Sequence, residues 1–266
     1  MNRSIVSACS PLSTVPARRR FEGVWNILRF NWPFYAATGA CAAGTAVLTL
    51  IHWPIWLRVL GWSGVGLAIF WMLASLAVSF YVYDVSPLYK WTWLRSMFAK
   101  PPRSWVNIHS GFDETSLPLQ ALFPADKQQV LDIYNPQTMT EPSIERARAT
   151  VVSPVSATPA DFAKLPLPDD SVDAVFLIFA AHEIRESEDR LRFFRELKRI
   201  TVSDARVILV EHVRDAANFL AFGPGFLHFM PQHEWQRLAS QSSLEIDRRF
   251  RITPFVSVFV LQNLSD

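Results

Sequence analysis

Glycine is scarce in this 266-residue sequence, which has nine, alongside two cysteines and 19% charged residues. Few glycines exclude a collagen-like or glycine-rich linker protein. Two cysteines, Cys9 and Cys41, exclude a disulfide scaffold and cannot form a metal site by themselves. Cys41 lies in an apolar run, and nothing points to an oxidising compartment. The charged fraction is below the ~25% of an average soluble protein. There is no phosphate loop of Walker type, no serine nucleophile elbow, no internal repeat and no low-complexity tract.

Apolar residues are abundant. They make up 50% of the chain, with twenty Phe and ten Trp, and the mean hydropathy of +0.14 is high for a soluble enzyme. The net charge of +2 conceals an asymmetry. Residues 1–103 carry ten Lys/Arg against two acids, whereas residues 104–266 carry sixteen against twenty-two. The basic charges of the first part flank long apolar runs, so a membrane surface is the expected partner rather than nucleic acid.

No charge occurs between Arg29 and Arg58, a gap of 28 residues, or between Arg58 and Asp84, a gap of 25. A helix needs ~20 apolar residues to cross a bilayer core. Pro33–Ile51 and Val59–Tyr83 therefore predict two spans joined by a turn containing Pro54. Trp25, Trp32, Trp91 and Trp93 are expected at one interface. Gly39, Ala40, Ala43 and Gly44 form a small-residue pattern that would let the second helix approach. Arg3, Arg18, Arg19, Arg20 and Arg29 precede the hairpin and Lys90, Arg95, Lys100 and Arg103 follow it. The turn holds only Arg58. The positive-inside rule then predicts that both termini are cytoplasmic. The expected organisation is a basic segment (1–32), a transmembrane hairpin (33–83), a juxtamembrane linker (84–103) and a globular domain (104–266).

From residue 104, strand and helix patterns alternate at βαβ spacing. Strands are expected at 104–109, 128–134, 149–157, 171–180 and 205–213, followed by a closing strand pair. EDRLRFFRELKRI (188–200) is an amphipathic helix with Leu191, Phe194, Leu197 and Ile200 on one face. The class is α/β, with a mostly parallel sheet and a final antiparallel pair. Such sheets bind ligands at the carboxyl ends of their strands. The first strand end offers His109, Gly111 and Asp113. The second ends at Asp132, an acid placed to accept two ribose hydroxyl hydrogen bonds. Asp161, after the third, is placed to accept from an adenine amine. The fourth ends at Phe179 and His182. His182 follows an apolar strand at the reactive edge, where an imidazole would take a proton from an acceptor or orient it. His182, Glu183, His212, His228 and His233 show no closed zinc spacing, so no metal is expected. The aromatic stretch 212–231 reads as an acceptor lid, a membrane-dipping segment or ordinary packing.

ADFAKLPLPDDSVDAVFLIFAAHEI (160–184), followed by FFRELKRI and ARVILVEH, resembles class I S-adenosylmethionine-dependent methyltransferases. The likeness is greatest to their ubiquinone/menaquinone-type group over 160–212, and it extends loosely over 104–260. It implies a Rossmann-like seven-stranded sheet whose last strand is antiparallel. S-Adenosylmethionine is the implied cofactor, with Asp132 at the ribose, Asp161 at the adenine amine, and Phe179–His182 beside the methyl-transfer centre. The family's Gly-x-Gly-x-Gly turn is replaced by VNIHSGFDETS. This is similar to the turn of a carboxyl methyltransferase branch, with His109 in place of the first glycine and Gly111 and Asp113 left to form the turn. The implied activity is methyl transfer to a lipid-like or membrane-associated acceptor. The alternative is a degenerate, non-catalytic domain acting as a membrane-tethered binding or scaffold module.

Overall fold

The computed structural model describes residues 18–51, 54–150, 153 and 155–263. Arg3, Cys9, His52, Trp53, Val151, Val152 and Pro154, which carried parts of the reading above, lie outside these residues. Two long helices come first, α1 (Glu22–Thr49) and α2 (Ile55–Phe80). Pro54 sits at the N-cap of α2, where a missing N–H costs nothing. The α2 helix runs on into a π-helical turn at Tyr81–Val85. There the Asp84 carboxylate accepts from the N–H groups of Gly23 (2.7 Å) and Val24 (2.8 Å), capping α1 and tying the two ends of the hairpin together. Gly23 is required at this crossing, because a Cβ there would lie 2.4 Å from the Cβ of Tyr83.

The helices meet through residues other than the expected small stripe. The Tyr35 hydroxyl reaches Ser75 Oγ at 3.5 Å, and a Cβ on Gly61 would lie 3.1 Å from Thr45. Gly39 and Gly44 face open space. One helical stretch among the described residues, Ile55–Lys90, is long and apolar enough to cross a membrane, and α1 is not.

Residues 84–103, expected as a linker, instead form part of the domain core. Two 3₁₀ segments, Leu88–Lys90 and Thr92–Met97, bury Leu88, Trp91, Leu94 and Met97. These pack with Trp105, Phe123 and Phe176 against one face of the sheet. Trp91 is 1% exposed, so it does not mark a membrane interface as the sequence suggested. Each such buried side chain contributes about 1.5–3 kcal/mol.

The strands are β1 (Ser104–His109), β2 (Lys127–Asp132), β3 (Thr158–Pro159), β4 (Val172–Ile178), β5 (Thr201–His212), β6 (Glu245–Thr253) and β7 (Val256–Gln262). Their order is β3-β2-β1-β4-β5-β7-β6. Neighbours are parallel except for β7, which runs antiparallel to both β5 and β6. The expected Rossmann-like sheet with its reversed last strand is present. The third strand, expected at 149–157, is Thr158–Pro159; Ala149 and Thr150 belong to α4 (Pro142–Thr150), and Val151, Val152 and Pro154 lie outside the described residues. The remaining helices are α3 (Ser116–Leu122), α5 (Ser187–Ile200), α6 (Ala216–Phe222) and α7 (Gln232–Gln241). On the face opposite the 3₁₀ segments, α5 and α7 bury Phe194, Leu197, Ile200, Trp235 and Leu238. The predicted apolar stripe of α5 is the one that packs.

Arg190 of α5 is 5% exposed and donates to Glu234 of α7 at 2.7 Å. Hydrogen bonds from Arg237, then Arg190, hold the Glu234 carboxyl well below its ordinary range, at about 2. A lowered carboxyl pKa contributes stability above the unfolded value, and that stability is lost as pH falls toward the folded one. The wild-type protein should therefore be more stable than Glu234→Gln by roughly 1–2 kcal/mol at pH 7. In a pH series of thermal melts the difference should persist down to pH 5 and shrink progressively toward pH 2. A constant difference would assign the effect to packing.

Candidate cofactor and acceptor site

The carboxyl ends of β1 and β2 lie side by side, with His109 opposite Asp132 in the register. The turn after β1 is built from buried polar groups. Asn107, 1% exposed, donates to Thr115 Oγ1 (2.8 Å) and Ser116 Oγ (2.7 Å). Asp113 Oδ1 accepts from the N–H groups of Thr115 and Ser116, both at 2.9 Å, and so holds the start of α3. Ser153 Oγ meets its other oxygen at 3.3 Å. Asp113 is thus a turn-holding residue and is not brought to the open edge.

Gly111 has φ +106, a conformation that favours glycine. Its N–H donates to His109 Nδ1 at 3.1 Å. Burial pushes the His109 pKa down, against the pull of Asp113 and Asp132. The neutral ring therefore carries its proton on Nε2, and Nε2 is buried without a partner. An unmatched buried donor beside a glycine turn is the kind of feature a bound cofactor satisfies.

Asp132 Oδ1 accepts from the Tyr134 N–H at 3.0 Å, and Oδ2 pairs with Arg148 Nη1 at 2.6 Å. Arg148, on α4, also lies over the Tyr134 ring at 4.4 Å. A Cβ on Gly111 would come within 2.7 Å of the same Arg148 nitrogen. The guanidinium therefore spans the glycine turn and the ribose-type acid. Its side chain is 36% exposed, so the pair is a surface one, worth about 0–1 kcal/mol and readily displaced. Asp161 is exposed and accepts from the Ala163 N–H at 2.8 Å. Its neighbour Ala160 donates to the Asp132 carbonyl at 2.9 Å, which keeps the two acids on one edge.

At the end of β4, Phe179 is held at φ +54, a strained conformation for a bulky residue. Its ring stacks on His212 at 5.1 Å and meets Tyr83 edge-on at 6.0 Å. His212 donates from Nδ1 to the Phe255 carbonyl (2.9 Å) and accepts the Tyr83 hydroxyl on Nε2 (2.8 Å). Burial drives its pKa down to about 4, so it is neutral.

His182 is 8% exposed and lies between two carboxylates. Nδ1 meets Glu211 Oε2 at 2.7 Å and Nε2 meets Glu183 Oε1 at 3.1 Å. Burial opposes the charged ring, but Glu211 and Glu183 outweigh it and raise the pKa to about 10. The Glu211 Oε1 atom also accepts from the N–H groups of Ala181 (3.0 Å) and His182 (3.2 Å). Both ring nitrogens are engaged, so His182 does not present a free base.

The sequence named His109, Gly111, Asp132, Asp161, Phe179 and His182, and the fold brings them to one edge of the sheet. It did not reveal Arg148, Tyr83, Glu141 or the role of Glu211. Arg148 and Tyr83 lie on elements whose approach no local pattern encodes. Glu211, as an acid ending an apolar strand, carried a visible signal.

A glycine turn after β1, an acid after β2 and an acid after β3 lie along the carboxyl edge of a Rossmann-like sheet, the edge at which such folds bind ligands. Residues 119–209 match the family model described as "Methyltransferase domain". No curated protein sequence matches. The fold is similar to that of an S-adenosylmethionine-dependent methyltransferase from Aquifex aeolicus. That likeness has 18% identity and a TM-score of 0.50, covering 69% of this chain and 93% of the other. A second similar structure is an S-adenosylmethionine-dependent methyltransferase from Methanosarcina mazei, with 16% identity and a TM-score of 0.48, covering 66% and 98%. Residues 119–209 are thus similar to a methyltransferase domain, and the fold is of the type seen in the S-adenosylmethionine-dependent methyltransferase from Aquifex aeolicus.

The Asp132 and Arg148 positions give a paired expectation. Asp132→Ala should weaken S-adenosylmethionine binding by about 1–3 kcal/mol, the loss of charge-assisted hydrogen bonds. Arg148→Ala should strengthen it by up to about fivefold, because the cofactor no longer displaces a surface ion pair. Titration calorimetry on both folded variants measures this. Unchanged affinity in Asp132→Ala would make the acid a turn residue only.

Proposed function

We propose that this protein is a membrane-anchored methyltransferase acting on a lipid-like or membrane-associated acceptor at the cytoplasmic surface. The observation that carries this reading is the Ile55–Lys90 stretch. It spans 36 residues with a hydropathy of 2.1, yet only 11% of its apolar window is buried. A core helix of a soluble protein would be mostly covered. Trp25, Trp32 and Phe34 of α1 are all more than half exposed, so α1 also offers apolar surface. Such a surface is stable in lipid and costly in water.

Two features of the domain favour an acceptor drawn from the bilayer. Helix α6 packs on α2 through Phe219 and Trp71, with ring centroids 5.5 Å apart, and leaves Leu220 and Leu227 exposed beside it. A cavity of about 670 Å³ lies at the foot of the hairpin, lined by Arg19, Arg20, Phe21, Tyr83 and Lys90 among others. Its basic rim suits an anionic headgroup. Its Tyr83 wall touches His212 and Phe179 at the sheet edge.

S-Adenosylmethionine, when bound, supplies an electrophilic methyl group. In this reading Asp132 accepts the ribose hydroxyls, Asp161 accepts the adenine amine, and the Gly111 turn with His109 Nε2 receives the rest of the cofactor. Phe179 closes the edge against water. His182, fixed by Glu211 and Glu183, orients the acceptor. Transfer then depends chiefly on positioning and desolvation. The non-catalytic reading keeps one supporting observation, the Arg148 guanidinium lying across Asp132.

Detergent-solubilised full-length protein should transfer labelled methyl from S-adenosylmethionine into a membrane lipid extract. Cofactor binding without incorporation into lipid or other membrane material would favour the scaffold reading. Reporter fusions at residues 1 and 266 should both report the cytoplasm, and an external C-terminus would refute the orientation.

A further inference from the structure

Glu183 presents an unexplained atom. It is 6% exposed, and its Oε2 is buried with no hydrogen-bond partner. An ionised oxygen left this way costs about 1–3 kcal/mol or more unless something binds it. Its other oxygen, Oε1, is approached by two imidazoles: His182 Nε2 at 3.1 Å and His228 Nε2 at 3.7 Å. One donor atom from each of the three residues lies within 4.8 Å of the others.

The far side of each ring is also organised. His182 Nδ1 is held by Glu211 at 2.7 Å, and His228 Nδ1 by Glu141 at 3.2 Å. Two carboxylate–imidazole pairs therefore aim their Nε2 atoms at one shared carboxylate. This is the arrangement that fixes ring orientation and raises ligand basicity around protein-bound metals. Arg185 adds a clamp, donating to the backbone carbonyls of His182 (3.2 Å) and His228 (2.8 Å). A tetrahedral ion with ligand bonds of ~2.0–2.1 Å has donor atoms ~3.3 Å apart. The two observed spacings bracket that value.

We propose that His182, Glu183 and His228 form a binding site for one divalent transition-metal ion of the zinc class, which takes the place of the protons on the two Nε2 atoms and releases them to solvent, with Glu211 and Glu141 orienting the two histidines. The ligand set is borderline-soft nitrogen with one oxygen, which suits zinc or cobalt rather than magnesium. Three protein ligands leave a fourth coordination position open. The site reaches solvent through His228, whose side chain is 26% exposed, so an ion can enter. Chain separation hid this site from the sequence. His228 lies 45 residues beyond Glu183, and the β5 strand and α6 bring it back.

The test uses tag-free full-length protein and zinc or cobalt alone, without acceptor, so it stands apart from the methyl-transfer reading. After equilibration and removal of free metal, elemental analysis should find one zinc per chain. Cobalt should give the visible absorption of a tetrahedral site. His228→Ala should lose at least about 100-fold in zinc affinity, and Glu141→Gln about tenfold, as the outer partner only orients its ring. Both variants should keep wild-type affinity for S-adenosylmethionine, which shows that they are folded. Absence of stoichiometric binding by the wild type, or equal affinity in His228→Ala, would overturn the proposal. Preference for magnesium over zinc would overturn the assigned class.

Discussion

Glu211→Ala is expected to destabilise the domain by about 3–5 kcal/mol, lowering the melting temperature by roughly 10 °C. Glu211 is 1% exposed and is the shared acceptor for three donors: the Ala181 and His182 N–H groups and the His182 ring. Alanine leaves all three buried and unmatched, and strands the His182 charge between Glu183 and an empty space. Glu211→Gln keeps an acceptor oxygen for the two backbone N–H groups but turns its amide nitrogen toward the His182 ring N–H and loses the charge, so its cost should be smaller than that of alanine but not negligible. Thermal or denaturant unfolding of the three proteins measures this. A loss below about 1 kcal/mol in the alanine variant would mean that Glu211 does not hold the end of β4.

His182→Gln should lower methyl transfer by about 10²–10³-fold while cofactor affinity stays within a factor of two. Glutamine retains a donor for Glu211, but Glu211 and Glu183 lose their shared cation, so the melting temperature should fall and cofactor affinity is the readout that separates the two roles. What is lost is a charged ring that orients the acceptor. A merely packed histidine would behave differently. Its replacement would reduce turnover and affinity together. Single-turnover transfer, cofactor titration and a thermal melt on one preparation separate the two outcomes. A folded variant with wild-type turnover would remove His182 from the acceptor side.

Much of the catalytic domain was legible locally. The period-2 and continuous apolar runs located β1, β2, β4 and β5, and the 3.6-residue pattern of α5 named the face that packs. Asp132 and Asp161 were readable because strand ends are topologically fixed points in a parallel sheet. Of the stretch 149–157 expected as the third strand, Ala149 and Thr150 belong to α4, and the paired residues are Thr158 and Pro159 just beyond it. Residues 84–103 were misread as a linker because their apolar residues follow neither helical nor strand period. Short 3₁₀ turns bury Leu88, Trp91 and Leu94 without such a signature. The small residues Gly39 and Gly44 suggested a helix contact, but small size permits approach without requiring it.

Composition and periodicity by themselves determined that this chain joins a basic, apolar helical pair to an acidic α/β domain. These properties depend on neighbouring residues, so the linear order suffices. The tertiary structure alone decided which distant side chains meet. It laid Arg148 across Asp132, set the Tyr83 hydroxyl on His212, and closed Glu141, His182, Glu183, Glu211 and His228 into one cluster. Those contacts join residues 16 to 129 positions apart, with His182 and Glu183 the one neighbouring pair. Their geometry follows from how the sheet and its helices stack, which no local pattern specifies.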